Sequence, residues 1–135
     1  IIWQGTYIMT TPLGLVRGLG SAKSGTATFV KERLSGLALF FLTPYLMVVL
    51  MPVFGQPYPV VLTAIGSLWI GPALVAFLLI NATHMALGMR VIIEDYVHTT
   101  VLRYALLLLN WAFSWGCCLL AVIAVIRIMF LAVQP

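Results

Sequence analysis

Residues 34–54 read LSGLALFFLTPYLMVVLMPVF, 21 positions without one charged side chain. A helix that crosses a bilayer needs about 20 such residues, so this stretch decides the fold class. Its apolar residues run on continuously instead of alternating, which argues against a membrane strand and for a helix. Pro44 falls inside the run and is expected to kink the helix or open it locally.

Two more stretches of the same kind follow. Residues 60–89 carry no formal charge, His84 apart, over 30 positions. As one helix they would span about 45 Å against a hydrocarbon core of about 30 Å. The helix is therefore expected to start late, between Ile65 and Pro72, or to project from the bilayer. Gly66, Ser67, Gly71 and Ala73 offer a small-residue face on which another helix can approach closely. The short GQPYP segment, residues 55–59, reads as an uncharged turn. Residues 104–126 form the third run, with Trp111 and Trp115 in its first half and Arg127 at its end.

The whole composition agrees with these runs. The chain has 135 residues, 63% hydrophobic and 7% charged, with a mean hydropathy of +1.14. A soluble domain carries about 25% charged residues, so this chain cannot cover itself with a water-facing surface. It reads as an all-α membrane protein of one domain. Three transmembrane helices are expected at about 34–54, 66–92 and 102–127, within an anchor of residues 33–130. Residues 1–32 form an N-terminal arm and the start of the first helix, with Ser24 or Thr26 as candidate N-cap. The sequence begins at Ile1, so it reads as processed or as part of a longer chain, with Met9 a candidate start. No signal peptide is expected, since the first apolar run begins after Arg33 and is too long for one. Cys117 and Cys118 are neighbours about 100° apart on a helix, so they read as packing residues and not as a disulfide.

A net charge of +4 would suggest nucleic acid in a soluble protein. Here no nucleic-acid partner is expected, because placement matters more than the sum. Arg17, Lys23, Lys31 and Arg33 precede the first span, and Arg90 and Arg103 flank the loop between the second and third. Arg127 stands alone at the other side. Six against one places the N-terminus and that loop on the cytoplasmic, negative side.

The loop ends the segment HMALGMRVIIEDYVH, which begins with a histidine inside the second span. Ionisable residues are costly in a membrane and are functional candidates by default. His84 can ligate a metal or haem, carry a proton, or hydrogen-bond a neighbouring helix. Eleven residues further on, about 20° beyond three full turns, Asp95 shares its face, about 16 Å nearer the cytoplasm. Gly88, one turn from His84, leaves room where a flat ligand would lie. Tyr96 is either an interfacial anchor or a hydroxyl donor to the carbonyl of an apolar molecule. Asp95 either pairs with Arg90 or Arg103, or supports that donor. Arg33 either snorkels or clamps a carboxylate. His98 reads as an ordinary interfacial histidine. A second axial ligand for any haem on His84 must come from another chain.

The spacing of His84, Gly88, Asp95 and Tyr96 resembles the signature of the smaller hydrophobic membrane anchor of succinate dehydrogenase, respiratory complex II. Gly25, Phe29 and Arg33 match that family's pattern before the first span, and the arm LGLVRGLGSAKSGT resembles its α-proteobacterial and mitochondrial form. The resemblance covers residues from about 11 to the end. It departs at Ala27, where relatives often carry a histidine, and residues 1–8 match no pattern of the family.

The resemblance implies a membrane anchor of succinate:quinone oxidoreductase, a subunit of the enzyme with no catalytic residue of its own. It implies that His84 is an axial ligand of a haem b shared with a sister anchor, the cytochrome b subunit, in a larger helical bundle. It implies Arg33 on a haem propionate, Tyr96 on ubiquinone and Asp95 in support of that quinone site. A flavoprotein subunit and an iron-sulfur subunit would hold the remaining cofactors. The setting would be a bacterial inner membrane, or alternatively the mitochondrial one, in the respiratory chain and tricarboxylic acid cycle. Two alternatives stay open: the anchor of a fumarate reductase type enzyme, and an accessory membrane protein without cofactor.

Overall fold

A computed structural model describes residues 25–132; most of the N-terminal arm, with Ser24, lies outside the described residues. Four helices follow one another: α1 (Gly25–Leu50), α2 (Tyr58–Gly66), α3 (Ile70–Tyr96) and α4 (Thr100–Ala132). Among the described residues there is no strand. The long helices α1, α3 and α4 provide three segments with the length and hydropathy of membrane spans. The described residues thus form an all-helical, three-span bundle.

Proline and glycine chemistry explains where the chain turns. Pro44 lies within α1, where its missing N–H leaves the Phe40 carbonyl without its usual donor. A short 3-10 turn, Met51–Val53, follows with Pro52 in its first positions. Gly55 then adopts φ +75°, a left-handed conformation that an L side chain resists. Pro57 and Pro59 open α2, because a first helical turn has no use for their absent N–H groups. With nine residues, α2 is about 14 Å long and too short to cross a membrane.

The break between α2 and α3 resolves the excess length of residues 60–89. Ser67 is extended, with φ −66° and ψ 148°. Its hydroxyl accepts the Ile70 N–H at 3.2 Å, capping α3 in the manner of a helix N-terminus. Pro72 then falls in the first turn. The small-residue face here meets the far end of α4. A Cβ built on Gly66 would collide with Ala132, and one on Gly71 would stand 2.7 Å from the Ile65 carbonyl and 2.7 Å from the Met129 sulfur.

α3 is the central helix, packed on α1 at one side and on α4 at the other. Asn110, Ser114 and Cys118 recur every four residues on α4 and form its seam with α3. Asn110 Nδ2 donates to the Ala86 carbonyl at 2.9 Å, Ser114 Oγ to Asn110 Oδ1 at 3.4 Å, and Cys118 Sγ to the Leu78 carbonyl at 3.4 Å. The two bonds between the helices, from Asn110 and Cys118, are of a kind that contributes about 0.6 kcal/mol each on average in a membrane bundle. Cys118 is buried and Cys117 exposed, both as free thiols. Outside the seams large apolar side chains are exposed along all three long helices, from Phe40 and Phe41 to Leu108, Leu120 and Phe130. An apolar surface of this extent faces lipid or another protein.

The tight α2–α3–α4 corner generates a prediction. Gly71→Ala should destabilise the bundle by about 1–3 kcal/mol, since the Met129 side chain can yield but the Ile65 carbonyl cannot. Thermal unfolding in mild detergent checks this; unchanged stability would mean the corner is looser than described.

Candidate functional site

The chain enters α1 and returns along α3, so residues far apart in sequence meet at the same depth. Ser35 and His84 do so. Ser35 Oγ lies 3.0 Å from His84 Nδ1 and 2.9 Å from the Glu32 carbonyl of its own helix. Gly36 stands beside them: a Cβ there would come within 3.3 Å of His84 Cε1 and 3.8 Å of Nδ1. The imidazole is half-buried, resting on α1 where α1 has no side chain. Nε2 makes no hydrogen bond with the described residues.

One turn along α3, a Cβ on Gly88 would meet nothing within 4 Å. This is open space on the His84 stripe, in contrast to the filled space at Gly36, Gly66 and Gly71. A planar group bound at Nε2 therefore meets a bare helix surface beside its ligand. Among the described residues no cluster of three or more His, Cys, Asp or Glu comes together.

α3 persists through Tyr96, which keeps Asp95 on the stripe of His84 as the helical spacing requires. Tyr96 is 79% exposed, and Asp95 is exposed beside it. Arg90, one of the two partners open to Asp95, pairs instead with Glu94 at 2.8 Å, an i,i+4 contact on the helix surface. Asp95 forms no ion pair with a described residue. His98 is exposed in the link before α4.

Arg33 is exposed, its guanidinium 5.1 Å from the centroid of the Phe29 ring, a favourable cation–π distance. On α1 it lies about 60° round the axis from Gly36. The structure does not bring Arg33 into hydrogen-bonding contact with His84, Asp95 or Tyr96. A separate cleft of about 830 Å³ opens between α1, α3 and α4, lined by Lys31, Arg90, Glu94, Arg103, Asn110 and Trp111 among others. Three cations against one carboxylate make the lining of this cleft positive.

Ser35 and Gly36 were the residues that sequence reading passed over. Their signal is faint: a hydroxyl and a bare backbone inside an apolar run, on a helix 49 residues away from the histidine they touch.

Comparison with known proteins adds the family. The family model for the succinate dehydrogenase/fumarate reductase transmembrane subunit matches residues 8–132. The chain is 30% identical over 128 residues to the "Succinate dehydrogenase hydrophobic membrane anchor subunit" of Paracoccus denitrificans, covering 87% of this chain and 90% of that protein. No solved structure matches the chain.

The two glycines of the site should behave oppositely. Gly88→Ala leaves the isolated chain within about 0.5 kcal/mol of its original stability, because its methyl enters open space. Gly36→Val should lower stability by about 1–3 kcal/mol, since the branched side chain meets the His84 ring. Equal effects in detergent unfolding experiments would show that His84 does not rest on Gly36.

Proposed function

The chain belongs to the family of succinate dehydrogenase/fumarate reductase transmembrane subunits, and from that premise we propose that it contributes a haem ligand and part of a quinone site to a succinate:quinone oxidoreductase. The observation that carries this reading is His84: an imidazole within a membrane span, engaged at Nδ1 by Ser35, bare at Nε2, with open space at Gly88. Those features fit a haem. His84 would hold the iron, and the haem when bound supplies a one-electron centre between the anchor subunits. The second axial ligand would come from the sister anchor, the cytochrome b subunit, with Arg33 facing a propionate.

Tyr96 and Asp95 serve the other end of the same stripe. Tyr96 ends α3, and in this reading its hydroxyl meets an apolar molecule at the boundary between bilayer and water. A phenol donates one hydrogen bond, and a quinone carbonyl accepts it. As the quinone gains electrons its oxygens become more basic, and the same bond strengthens and lowers the energy of the reduced form. Asp95, exposed and free of an ion pair with described residues, is available to pass protons from water. Ubiquinone is the substrate in this reading, and the flavoprotein and iron-sulfur subunits carry the succinate chemistry.

The distribution of charge supports placing this end on the cytoplasmic side. Lys31, Arg33, Arg90 and Arg103 stand there, and Arg127 stands at the other; basic residues are retained on the negative face of a membrane. A bacterial inner membrane is the proposed setting. The family description covers enzymes working in both directions, and the name of the Paracoccus relative favours succinate oxidation.

Two substitutions test the proposal in the assembled complex. His84→Ala should abolish or strongly alter the b-type haem absorption; an unchanged spectrum in a complex of normal composition would refute the ligand role. Tyr96→Phe retains the ring and removes only the hydroxyl. It should slow quinone reduction at least about tenfold, the kinetic equivalent of about 1.4 kcal/mol, while succinate oxidation by an artificial acceptor continues. Normal rates with both acceptors would leave Tyr96 as an interfacial anchor.

A further inference from the structure

Ser35 has one hydroxyl proton and two lone pairs, and two partners compete for them. The Glu32 carbonyl, 2.9 Å away on the same helix, can only accept. The hydroxyl proton therefore goes to Glu32, in the back-bonded geometry that serine commonly adopts in helices. What Ser35 then turns toward His84, at 3.0 Å, is a lone pair. That contact is attractive only if Nδ1 carries a hydrogen. A neutral imidazole with its proton on Nδ1 has its own lone pair on Nε2.

Gly36 restricts the ring further. Cε1 lies where a Cβ of residue 36 would be 3.3 Å away, so the ring is seated against the α1 backbone. Turning it over about its long axis would present carbon to the Ser35 oxygen in place of nitrogen. The hydrogen bond would be lost, with no water in the hydrocarbon region to replace it.

We infer that Ser35 is a positioning residue for His84: its hydroxyl, with its own proton committed to the Glu32 carbonyl, accepts the Nδ1 hydrogen and holds the imidazole in the tautomer that keeps Nε2 for iron. The inference rests on His84 being the haem ligand. Metal-binding histidines generally donate their second N–H to an acceptor that fixes ring orientation and raises basicity at the metal. Here the acceptor is relayed: imidazole to hydroxyl, hydroxyl to the carbonyl of a neighbouring helix. The relay also couples the haem ligand on α3 to the packing of α1.

The test uses the assembled complex with Ser35→Ala, Ser35→Thr and Ser35→Cys, and His84→Ala beside them. Haem retention against a competing apo-haem protein and the haem midpoint potential are measured, neither of which depends on turnover. Ser35→Ala should weaken haem affinity about 10- to 100-fold. It should also shift the midpoint potential upward, because a less basic imidazole stabilises the ferric iron less. Ser35→Thr, which keeps the hydroxyl, should restore both values toward the original. Should Ser35→Ala not assemble, Ser35→Cys carries the same test, since it keeps the size and offers only a weak acceptor. Wild-type haem retention and potential in Ser35→Ala or Ser35→Cys, in a series where His84→Ala loses the haem, would overturn the role of Ser35 alone. A His84→Ala complex that keeps its haem would overturn the ligand reading beneath it.

Discussion

Hydrocarbon offers the peptide backbone no hydrogen-bond partner, and the architecture follows from that one constraint. Each crossing must satisfy its own N–H and C=O groups, so the three long segments are helices and their ends are where the chain is free to turn. The exceptions are local. Pro44 removes one donor inside α1, and between α2 and α3 the hydroxyl of Ser67 takes the N–H of Ile70. Once the backbone is satisfied, the surface can be apolar nearly everywhere.

With apolar side chains free to face lipid, burial cannot be what holds the helices in register. Few of the described residues are buried, among them Leu46, Ala82, Ile93, Ser114 and Cys118. Polar contacts and close approaches at glycine take over that task. The Asn110–Ser114–Cys118 seam aligns α4 with α3, and Gly66 and Gly71 admit the end of α4. Ser35 and Gly36 set α1 against α3 at His84. The stripe of the proposed site is therefore also part of the structural one, and a haem ligand at His84 would be oriented by the same contact that docks α1.

The stripe is graded along α3. Its histidine is half-buried and tied to a neighbouring helix, while Asp95 and Tyr96 are exposed at the helix end. A half-buried imidazole would suit a fixed ligand, and an exposed phenol beside a carboxylate with no ion pair among the described residues would suit a mobile apolar substrate that must also receive protons. Arg33 stands apart, on a face that the described residues leave open to another subunit or to lipid. The open space at Gly88 has the same character.

Much of this was legible in the sequence, because hydropathy and charge read out length along one dimension. Uncharged runs of about 20 residues specified three crossings, the excess length of residues 60–89 pointed to a late start of the second long helix between Ile65 and Pro72, and a spacing of eleven put His84 and Asp95 on one face. The residues His84, Gly88, Asp95 and Tyr96 also carried the family. Which helix covers His84 was not legible. Ser35 and Gly36 lie 48 or 49 positions away in a run where any small residue would preserve the hydropathy, so no local pattern distinguishes them. The pairing of Arg90 with Glu94 instead of Asp95 was equally hidden, since it depends on which way each side chain leaves the helix. Sequence by itself determined what each helix is and which of its own residues share a face. Only the tertiary structure decided which faces meet, because register between helices is set by a few contacts in three dimensions that leave no periodic trace along the chain.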